Sequence, residues 1–219
     1  MGLTTLEDPA QYGLSLTLGG GEVRPYDMAV AFGVFANQGI KQPLISILKV
    51  TDWKGKVLEE TNVNDVELNG ERVLPPDVTF LISHILLDNN ARSQAFGESS
   101  YLNVRGHPEV SVKTGTTNDR RDNWTIGYTG LAVVVSWVGN NNNTPMSGAV
   151  SGVSGASPIW NTVMKEVLRK AEDGSYSKEE DGHVWPNQPD QRLSVRVFAP
   201  PTDSCPPVLR NESRLSFAF

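Results

Sequence analysis

The sequence predicts an α+β fold, in which helices pack against an antiparallel sheet. Three β-rich runs follow one another between residues 107 and 140 with short polar connections, which is typical of antiparallel strands. Three other stretches carry apolar residues at helical spacing. The chain has 219 residues, of which 38% are hydrophobic and 20% charged, so it can bury the core of one sizeable soluble domain.

The first predicted helix covers residues 25–38, within "RPYDMAVAFGVFANQGI". Pro25 suits a first helical turn, Asp27 lies near the positive helix start, and Gly39 can end the helix. The preceding "LSLTLGGGE" alternates apolar and polar residues and then breaks in glycines. This pattern predicts a short extended segment followed by a loop.

A hairpin and a second helix follow. "LISILKVTDWKGKVLEE" has two β-rich runs around "DWKGK", which predicts a hairpin with Gly55 in its turn. "PPDVTFLISHILLDN" begins with prolines and keeps helical spacing of its apolar residues. It predicts a helix over residues 75–88.

The three β-rich runs and a closing helix complete the predicted domain. The runs are "HPEVSVKTG", "NWTIGYTG" and "LAVVVSWVGN", and the last is apolar enough to be central in the sheet. "SPIWNTVMKEVLRKAE" predicts a helix with Ser157 as N-cap and Pro158 at its first position. Residues 1–172 therefore form one domain. Residues 173–219, rich in Pro, Asp and Ser, are expected to be a linker or low-order tail, with "LSVRVFA" as the start of a truncated further domain.

Composition and charge argue against several classes of function. The net charge is −6 and no run of Lys or Arg is long, so nucleic-acid binding is not expected. Cys205 has no second cysteine to pair with, and His84, His107 and His183 are scattered, so neither a metal site nor a cofactor is expected. The sequence shows neither a signal peptide nor an apolar run near the ~18 residues of a membrane span.

The stretch "VKTGTTND", residues 112–119, places several hydrogen-bond donors at the end of an apolar run. Lys113 supplies a positive charge, and Thr114 and Thr116 supply hydroxyls. Gly115 lacks a side chain, so the backbone of a ligand can lie against the strand edge. Together they suit an extended peptide bound by strand addition, with its terminal carboxylate held by charge and hydroxyls. A lone Lys-Thr-Gly is common by chance, and the tripeptide alone favours a β-turn at the surface over a binding site.

The surroundings of this motif resemble a known family. "KTGTTNDRRDNWTIGYTG", followed by "SWVGNNN" and "GASPIWNTVM", is similar to the C-terminal half of the transpeptidase domain of penicillin-binding proteins, of the class A, glycosyltransferase-linked type. "YGLSLTLGGGEVRPYDMAVAFGVFANQGI" is similar to the segment that precedes the third motif in that family. The similarity runs from about residue 3 to residue 171. It implies a partial serine β-lactamase/transpeptidase-like fold.

The resemblance also implies a reaction and a ligand. The family signature is S-x-x-K, then S-x-N, then K-T-G. Its serine attacks the penultimate D-Ala of a peptidoglycan stem peptide, and an amine from a neighbouring stem peptide resolves the acyl-enzyme. β-Lactams mimic the D-Ala-D-Ala end and trap the serine. The implied partners are therefore stem peptides and β-lactam antibiotics, without a cofactor.

The roles of the third motif carry over to this sequence residue by residue. The resemblance implies catalytic roles for Lys113, by electrostatic stabilisation, and for Thr116, whose N–H is one of two oxyanion donors. The residues implied to bind substrate are Thr114, Gly115, Thr117 and Asn118. Asn123 and Trp124 are expected to be framework residues near the site.

The nucleophile is not found where the family has it. "SILK" (Ser46 to Lys49) falls in a predicted strand, where positions i and i+3 point to opposite faces. "SYSK" (Ser175 to Lys178) falls in the tail. No S-x-N string stands in the expected place.

The chain is therefore expected to be a fragment that is inactive alone. The S-x-x-K motif and a membrane anchor are expected in the missing N-terminal part of a parent protein, which acts at the outer face of the cytoplasmic membrane. Such a fragment would expose a sheet edge and apolar surface and fold marginally. The alternative is a non-catalytic remnant that binds a peptide or a partner through the KTG strand edge. An upstream S-x-x-K in the parent gene discriminates between the two.

Overall fold

The computed structural model describes residues 1–61, 70–146 and 154–172. The helices are α1 (Pro9–Tyr12), α2 (Pro25–Ala36), α3 (Pro76–Leu87), α4 (Asn89–Phe96) and α5 (Ala156–Glu172), with 3-10 turns at Gly13–Leu18 and Asn118–Arg120. The strands are β1 (Ile40–Lys41), β2 (Lys49–Thr51), β3 (Val57–Glu60), β4 (Glu71–Arg72), β5 (Ser111–Thr116), β6 (Asp122–Tyr128) and β7 (Val133–Gly139). None of the described helices is both long enough and apolar enough to cross a membrane. The predicted tail, residues 173–219 with "LSVRVFA" and Ser175, lies outside the described residues.

The helix predicted over residues 25–38 is confirmed as α2 and ends two residues earlier. Gly39 follows it with a positive φ of 94°, and its N–H donates to the carbonyl of Val34 at 2.7 Å. A Cβ at Gly39 would lie 2.0 Å from the carbonyl oxygen of Leu74. Both the backbone angle and this close approach therefore require glycine at the helix end.

The extended segment predicted from "LSLTLGGGE" is wrong, because residues Gly13–Leu18 form a 3-10 helix. Leu14 and Leu18 are 93% and 94% exposed, so the alternation of apolar residues does not mark a buried face. The hydroxyls of Ser15 and Thr17 donate to backbone carbonyls three residues earlier. Such local bonds favour a helical turn over an extended strand.

The predicted hairpin and second helix are confirmed. Strand β2 pairs antiparallel with β3, and Gly55 lies in the turn with a φ of 82°. The helix predicted over residues 75–88 is α3. The sequence patterns missed the short helix α1, the two-residue pairing of β1 with β4, and α4, whose first turn is capped by the Asp88 carboxylate.

The predicted three-stranded antiparallel sheet is confirmed, with the order β5-β6-β7. Strand β7, expected to be central, instead forms one edge of the described sheet, and β6 lies in the middle. Strand β7 is apolar because α2 and α5 cover its two faces, and not because strands flank it. Strand β5 begins at Ser111, so "HPEV" precedes the strand and the KTG motif lies within it.

Helix α5 and the sheet enclose the main hydrophobic core. Its buried members are Leu102, Val104, Val110, Val112, Val134, Trp160, Met164 and Leu168. The Trp160 ring lies directly over Gly127 of β6. A Cβ at Gly127 would come within 2.3 Å of Trp160 Cζ2, so only glycine admits the ring at this distance.

A buried hydrogen-bonded group joins α3 to the opposite face of the sheet. The Tyr128 hydroxyl lies 2.9 Å from Ser83 Oγ, and Ser111 Oγ donates to the Ser83 carbonyl at 2.9 Å. The Phe32 and Phe35 rings pack against the Tyr128 ring. Burial raises the pKa of the Tyr128 hydroxyl, and hydrogen bonding with the Ser83 and Ser111 side chains partly offsets this. The group anchors the start of β5.

The N-terminus of α5 differs from the prediction. The helix begins at Ala156, so Ser157 lies in its first turn instead of capping it, and Pro158 is the third residue. The Ala156 N–H donates to Asn123 Oδ1 at 2.8 Å, and Ser157 Oγ lies 2.8 Å from Thr125 Oγ1. The cap is thus supplied by strand β6 through tertiary contact, which a local sequence pattern does not show.

The contact between Trp160 and Gly127 predicts a large effect of one methyl group. We expect Gly127→Ala to lower the free energy of unfolding by about 1–3 kcal/mol, since the new Cβ must displace the indole from a closely packed core. Gly33→Ala is the matched control, because a Cβ there meets no atom within 4 Å. We expect Gly33→Ala to raise stability by up to about 1 kcal/mol. Urea unfolding followed by tryptophan fluorescence measures both; equal effects would contradict the packing argument.

Candidate functional site

The KTG motif occupies the last part of strand β5, where the strand forms an edge of the sheet. On one side β5 pairs with β6. On its other side no strand pairs with it within residues 1–61, 70–146 and 154–172. The motif therefore lies along an open backbone edge, which is the geometry that strand addition requires.

The direction of the free backbone groups follows from the end of the hairpin. The Thr117 N–H donates to the Asp122 carbonyl at 3.2 Å, so these residues form a hydrogen-bonded pair. Hydrogen-bonded and non-hydrogen-bonded positions alternate along an antiparallel ladder. Thr116 and Thr114, one and three residues back, therefore direct their N–H and C=O groups away from β6. The N–H and C=O groups of both threonines are therefore accessible to a ligand at the open edge.

The ammonium group of Lys113 lies at this open edge. The side chain is exposed, and Nζ donates a hydrogen bond to the carbonyl oxygen of Thr114. That carbonyl is one of the outward-directed groups. Among the described residues, no carboxylate forms an ion pair with Lys113. The charge is therefore available to an anionic ligand that approaches the edge.

Gly115 leaves open space beside the strand. A Cβ built at this position would meet only Trp124 Cβ, at the ordinary contact distance of 3.7 Å. The described fold therefore has room for a small side chain here, unlike at Gly127. The missing side chain clears the face of β5 between Lys113 and the end of the strand.

Asn123 connects the motif to helix α5. Its Nδ2 donates to the Gly115 carbonyl at 3.0 Å and to Thr116 Oγ1 at 2.9 Å, while its Oδ1 accepts from the Ala156 N–H. The side chain is fully buried. The sequence identified Asn123 as a framework residue but missed these partners. Asn123 lies opposite Thr116 in the ladder. Predicting this pairing from the sequence would have required the exact length of the hairpin turn.

Thr117 and Asn118 lie beyond the strand, in the turn that closes the hairpin. Thr117 Oγ1 accepts from the Asp122 N–H at 2.9 Å, and Asn118 is exposed in the short 3-10 turn. Two residues of this turn, Asp119 and Arg120, have positive φ values of 59° and 53°. The structure thus brings Lys113 to Thr116 together along one edge and places the other two predicted residues at its end.

A neighbouring loop supports the turn, which the sequence patterns did not indicate. The guanidinium of Arg121 donates to the carbonyl of Asn143 at 2.7 Å, and the Met146 N–H donates to the Arg120 carbonyl at 3.0 Å. These bonds hold the end of the KTG edge against the loop that follows β7.

The alternative nucleophile string near β2 does not have the geometry of the family motif. Ser46 lies in an irregular segment before β2 and not in a strand, which corrects the prediction. It is also outside any described helix. The Lys49 ammonium binds the Glu60 carboxylate at 2.9 Å across the hairpin. Ser175 and Lys178 lie outside the described residues.

Two of the three histidines lie in a different part of the molecule, and His183 is outside the described residues. His84 and His107 line a cavity of about 340 Å³ between α3, α4 and residues 102–110. The Arg92 guanidinium there donates to the backbone carbonyl of Leu86, and burial lowers its pKa. In the described parts of the chain, no three His, Cys, Asp or Glu side chains come together as metal ligands would.

No protein-family model matches the chain. Comparison with individual proteins finds relatives that share one description, penicillin-binding protein 1A. Penicillin-binding protein 1A of Aquifex aeolicus is 36% identical over 159 residues, which is 71% of this chain and 20% of that protein. Penicillin-binding protein 1A of Neisseria lactamica is 30% identical over 174 residues, which is 80% of this chain and 21% of that protein. The chain thus spans about a fifth of the length of these relatives.

Solved structures show the same fold. The penicillin-binding protein PonA1 from Mycobacterium tuberculosis superposes with a TM-score of 0.59 at 26% identity, covering 71% of this chain and 41% of that one. Penicillin-binding protein 1A from Haemophilus influenzae superposes with a TM-score of 0.56 at 25% identity, covering 86% of this chain and 30% of that one. The predicted fold class, an α+β fragment of the transpeptidase-like fold, is confirmed.

The space around Gly115 predicts that this glycine is dispensable for folding. We expect Gly115→Ala to change the free energy of unfolding by less than about 1 kcal/mol, because the added methyl makes only an ordinary contact. Gly139→Ala in β7 is the contrasting variant, since its Cβ would lie 2.5 Å from Trp137 Cζ2. We expect that variant to lose about 1–3 kcal/mol. Chemical unfolding curves of the two variants provide the test, and a larger loss in Gly115→Ala would show that the fold itself needs this glycine.

Proposed function

Because the chain is homologous to part of the penicillin-binding proteins of the 1A type, we propose that it contributes the third-motif strand of a peptidoglycan D,D-transpeptidase. In this proposal the chain binds the D-Ala-D-Ala end of a stem peptide, and β-lactam antibiotics that mimic that end. The single observation that carries the proposal is the open edge of β5 with the Lys113 ammonium lying on it.

The ligand would bind as an added strand along β5. Its backbone would bond to the outward-directed groups of Thr114 and Thr116, and Gly115 leaves room for it to lie close to the sheet. The Lys113 ammonium and the two threonine hydroxyls would hold the terminal carboxylate. Thr117 and Asn118 would contact the ligand where the strand ends.

The reaction proposed for the complete domain is acyl transfer through a serine ester. The serine oxygen bonds to the penultimate D-Ala carbonyl carbon, and the terminal D-Ala leaves as an amine that takes up the serine proton. The amine of a neighbouring stem peptide then displaces the serine, which regains a proton. The Thr116 N–H would stabilise the oxyanion that forms at each step, and Lys113 would favour negative charge nearby.

We propose that this chain does not perform the reaction alone. Ser46 and Lys49 are not arranged on a helical turn, and the Lys49 ammonium is engaged by Glu60. The family's S-x-x-K serine would come from the N-terminal part of the parent protein. The parent would act at the outer face of the cytoplasmic membrane, where peptidoglycan is assembled.

The same N-terminal part is the proposed partner of an apolar surface on α3. Val78, Ile82 and Ile85 lie at helical spacing and are exposed by 40%, 36% and 66%. Apolar stripes of this kind are usually covered in a complete domain. This chain covers 41% of the matched PonA1 chain, so much of that solved chain has no counterpart here.

A second candidate function is a non-catalytic module that binds a peptide or partner through the same edge. It is favoured by the arrangement of Ser46 and Lys49, which lacks the family geometry. Both candidates use the β5 edge, so peptide binding alone does not separate them. Covalent labelling of the complete parent protein does, because only the first candidate predicts an S-x-x-K serine in its N-terminal part.

The role of Lys113 predicts a specific loss of binding. We expect Lys113→Met to weaken the affinity of the full chain for an acyl-D-Ala-D-Ala peptide about tenfold, because one charge-assisted hydrogen bond is lost. Lys49→Met removes an exposed lysine from a different strand and should leave the affinity unchanged. Isothermal titration calorimetry measures both, and the absence of binding in the unsubstituted chain would overturn the proposed site.

Labelling with a fluorescent penicillin tests the catalytic part of the proposal. We expect no covalent band on a denaturing gel when the chain is treated alone, with heat-denatured protein as the background control. A band would show that a nucleophile exists within the 219 residues. Peptide mapping would then identify it, with Ser46 and Ser175 as the first positions to replace by Ala.

A further inference from the structure

The orientation of the Asn123 side-chain amide is determined by two backbone groups. The Ala156 N–H can only donate, so the atom 2.8 Å from it must be Oδ1. The Gly115 carbonyl can only accept, so the atom 3.0 Å from it must be Nδ2. A flipped amide would break both bonds in a fully buried place. The two ends of the amide are therefore distinguished by the chemistry of their neighbours.

This orientation dictates the role of the Thr116 hydroxyl. Nδ2 carries two protons, one directed to Gly115 and the other to Thr116 Oγ1 at 2.9 Å. Thr116 therefore accepts from Asn123, and its own proton is left for another acceptor. The Thr116 side chain is exposed at the end of the open edge. Its proton is available to a ligand there.

We propose that Asn123 is a positioning residue that keeps the Thr116 hydroxyl as a hydrogen-bond donor, so that the site selects a free carboxylate over an amidated peptide end. This inference rests on the proposed function of the β5 edge. With the Lys113 ammonium nearby, the side chains at this edge are donors. A carboxylate offers only acceptors, whereas a primary carboxamide places an NH₂ donor against one of them.

Asn123→Asp is the sharpest substitution, because it keeps the shape of the side chain. The carboxylate still accepts from the Ala156 N–H, so the cap of α5 remains. It has no NH₂ group, and if it is protonated its single O–H is taken up by the Gly115 carbonyl, which lies 3.0 Å from that position. In either form Thr116 would turn its proton inward to the Asp oxygen and withdraw it from the ligand. Thr116→Val removes the same donor without adding a charge. It serves as the second variant if the buried Asp impairs folding.

The experiment compares two peptides, acyl-D-Ala-D-Ala with a free carboxylate and the same peptide with a C-terminal carboxamide. We expect the full chain to prefer the carboxylate by about tenfold. Both Asn123→Asp and Thr116→Val should reduce this preference to about threefold, with the remainder due to the Lys113 ammonium. Ser157→Ala, which breaks another buried link between β6 and α5, should retain it. A preference that stays near tenfold in Thr116→Val overturns the proposal.

Hydrogen exchange separates this inference from the proposed function. In the free protein the side-chain amide protons of Asn123 should exchange far more slowly than those of the exposed Asn118, as NMR can measure. Fast exchange at Asn123 overturns its positioning role, whatever the peptides do. Slow exchange with no binding of either peptide overturns the function proposed for the edge, and with it the selection of carboxylates.

Discussion

The packing of the Trp160 ring against the backbone of Gly127 sets the distance between α5 and the sheet. Because β6 has no side chain at that point, the indole reaches the strand itself, and the helix lies close enough for polar contacts at its N-terminus. Asn123 and Thr125 of β6 make those contacts with Ala156 and Ser157. The position of the helix thus determines the hydrogen bonds available to β6 and, through Asn123, the arrangement of the neighbouring strand.

The two long edges of β5 differ in their hydrogen-bond partners. The side that faces β6 is fully engaged in the ladder, and Asn123 adds a side-chain bond to the Gly115 carbonyl. On the other side no strand pairs with β5 in the described structure, and the Lys113 ammonium lies there. If this edge binds a ligand as proposed, it has to keep its shape without a second neighbouring strand. The buried Tyr128–Ser83–Ser111 group at its start and the closed turn at its end supply that rigidity.

The sequence predicted the elements whose signals are local. Helices α2 and α3 follow from apolar spacing with Pro at the start, and the hairpin follows from Gly55 between β-rich runs. The sequence patterns failed where tertiary contacts determine the structure. Strand β7 is apolar because helices cover both its faces. Helix α5 is capped by Asn123 from a strand distant in sequence. That a strand leads into the KTG residues was predictable from the apolar run before them, whereas the bond between Asn123 and Thr116 depends on the register of the sheet.

The hydrogen bond from Lys113 to the Thr114 carbonyl also bears on how the free protein behaves in solution. An unpaired strand edge is a template on which other chains, including further copies of the same chain, can assemble into aggregates. Here the ammonium already occupies one of the outward acceptors and places a charge at the edge. A second copy would bring its own lysine to the same place, and the two charges would repel. A single short peptide with a carboxylate at its end, the proposed ligand, would meet no such repulsion, so one side chain would both admit that ligand and discourage self-association.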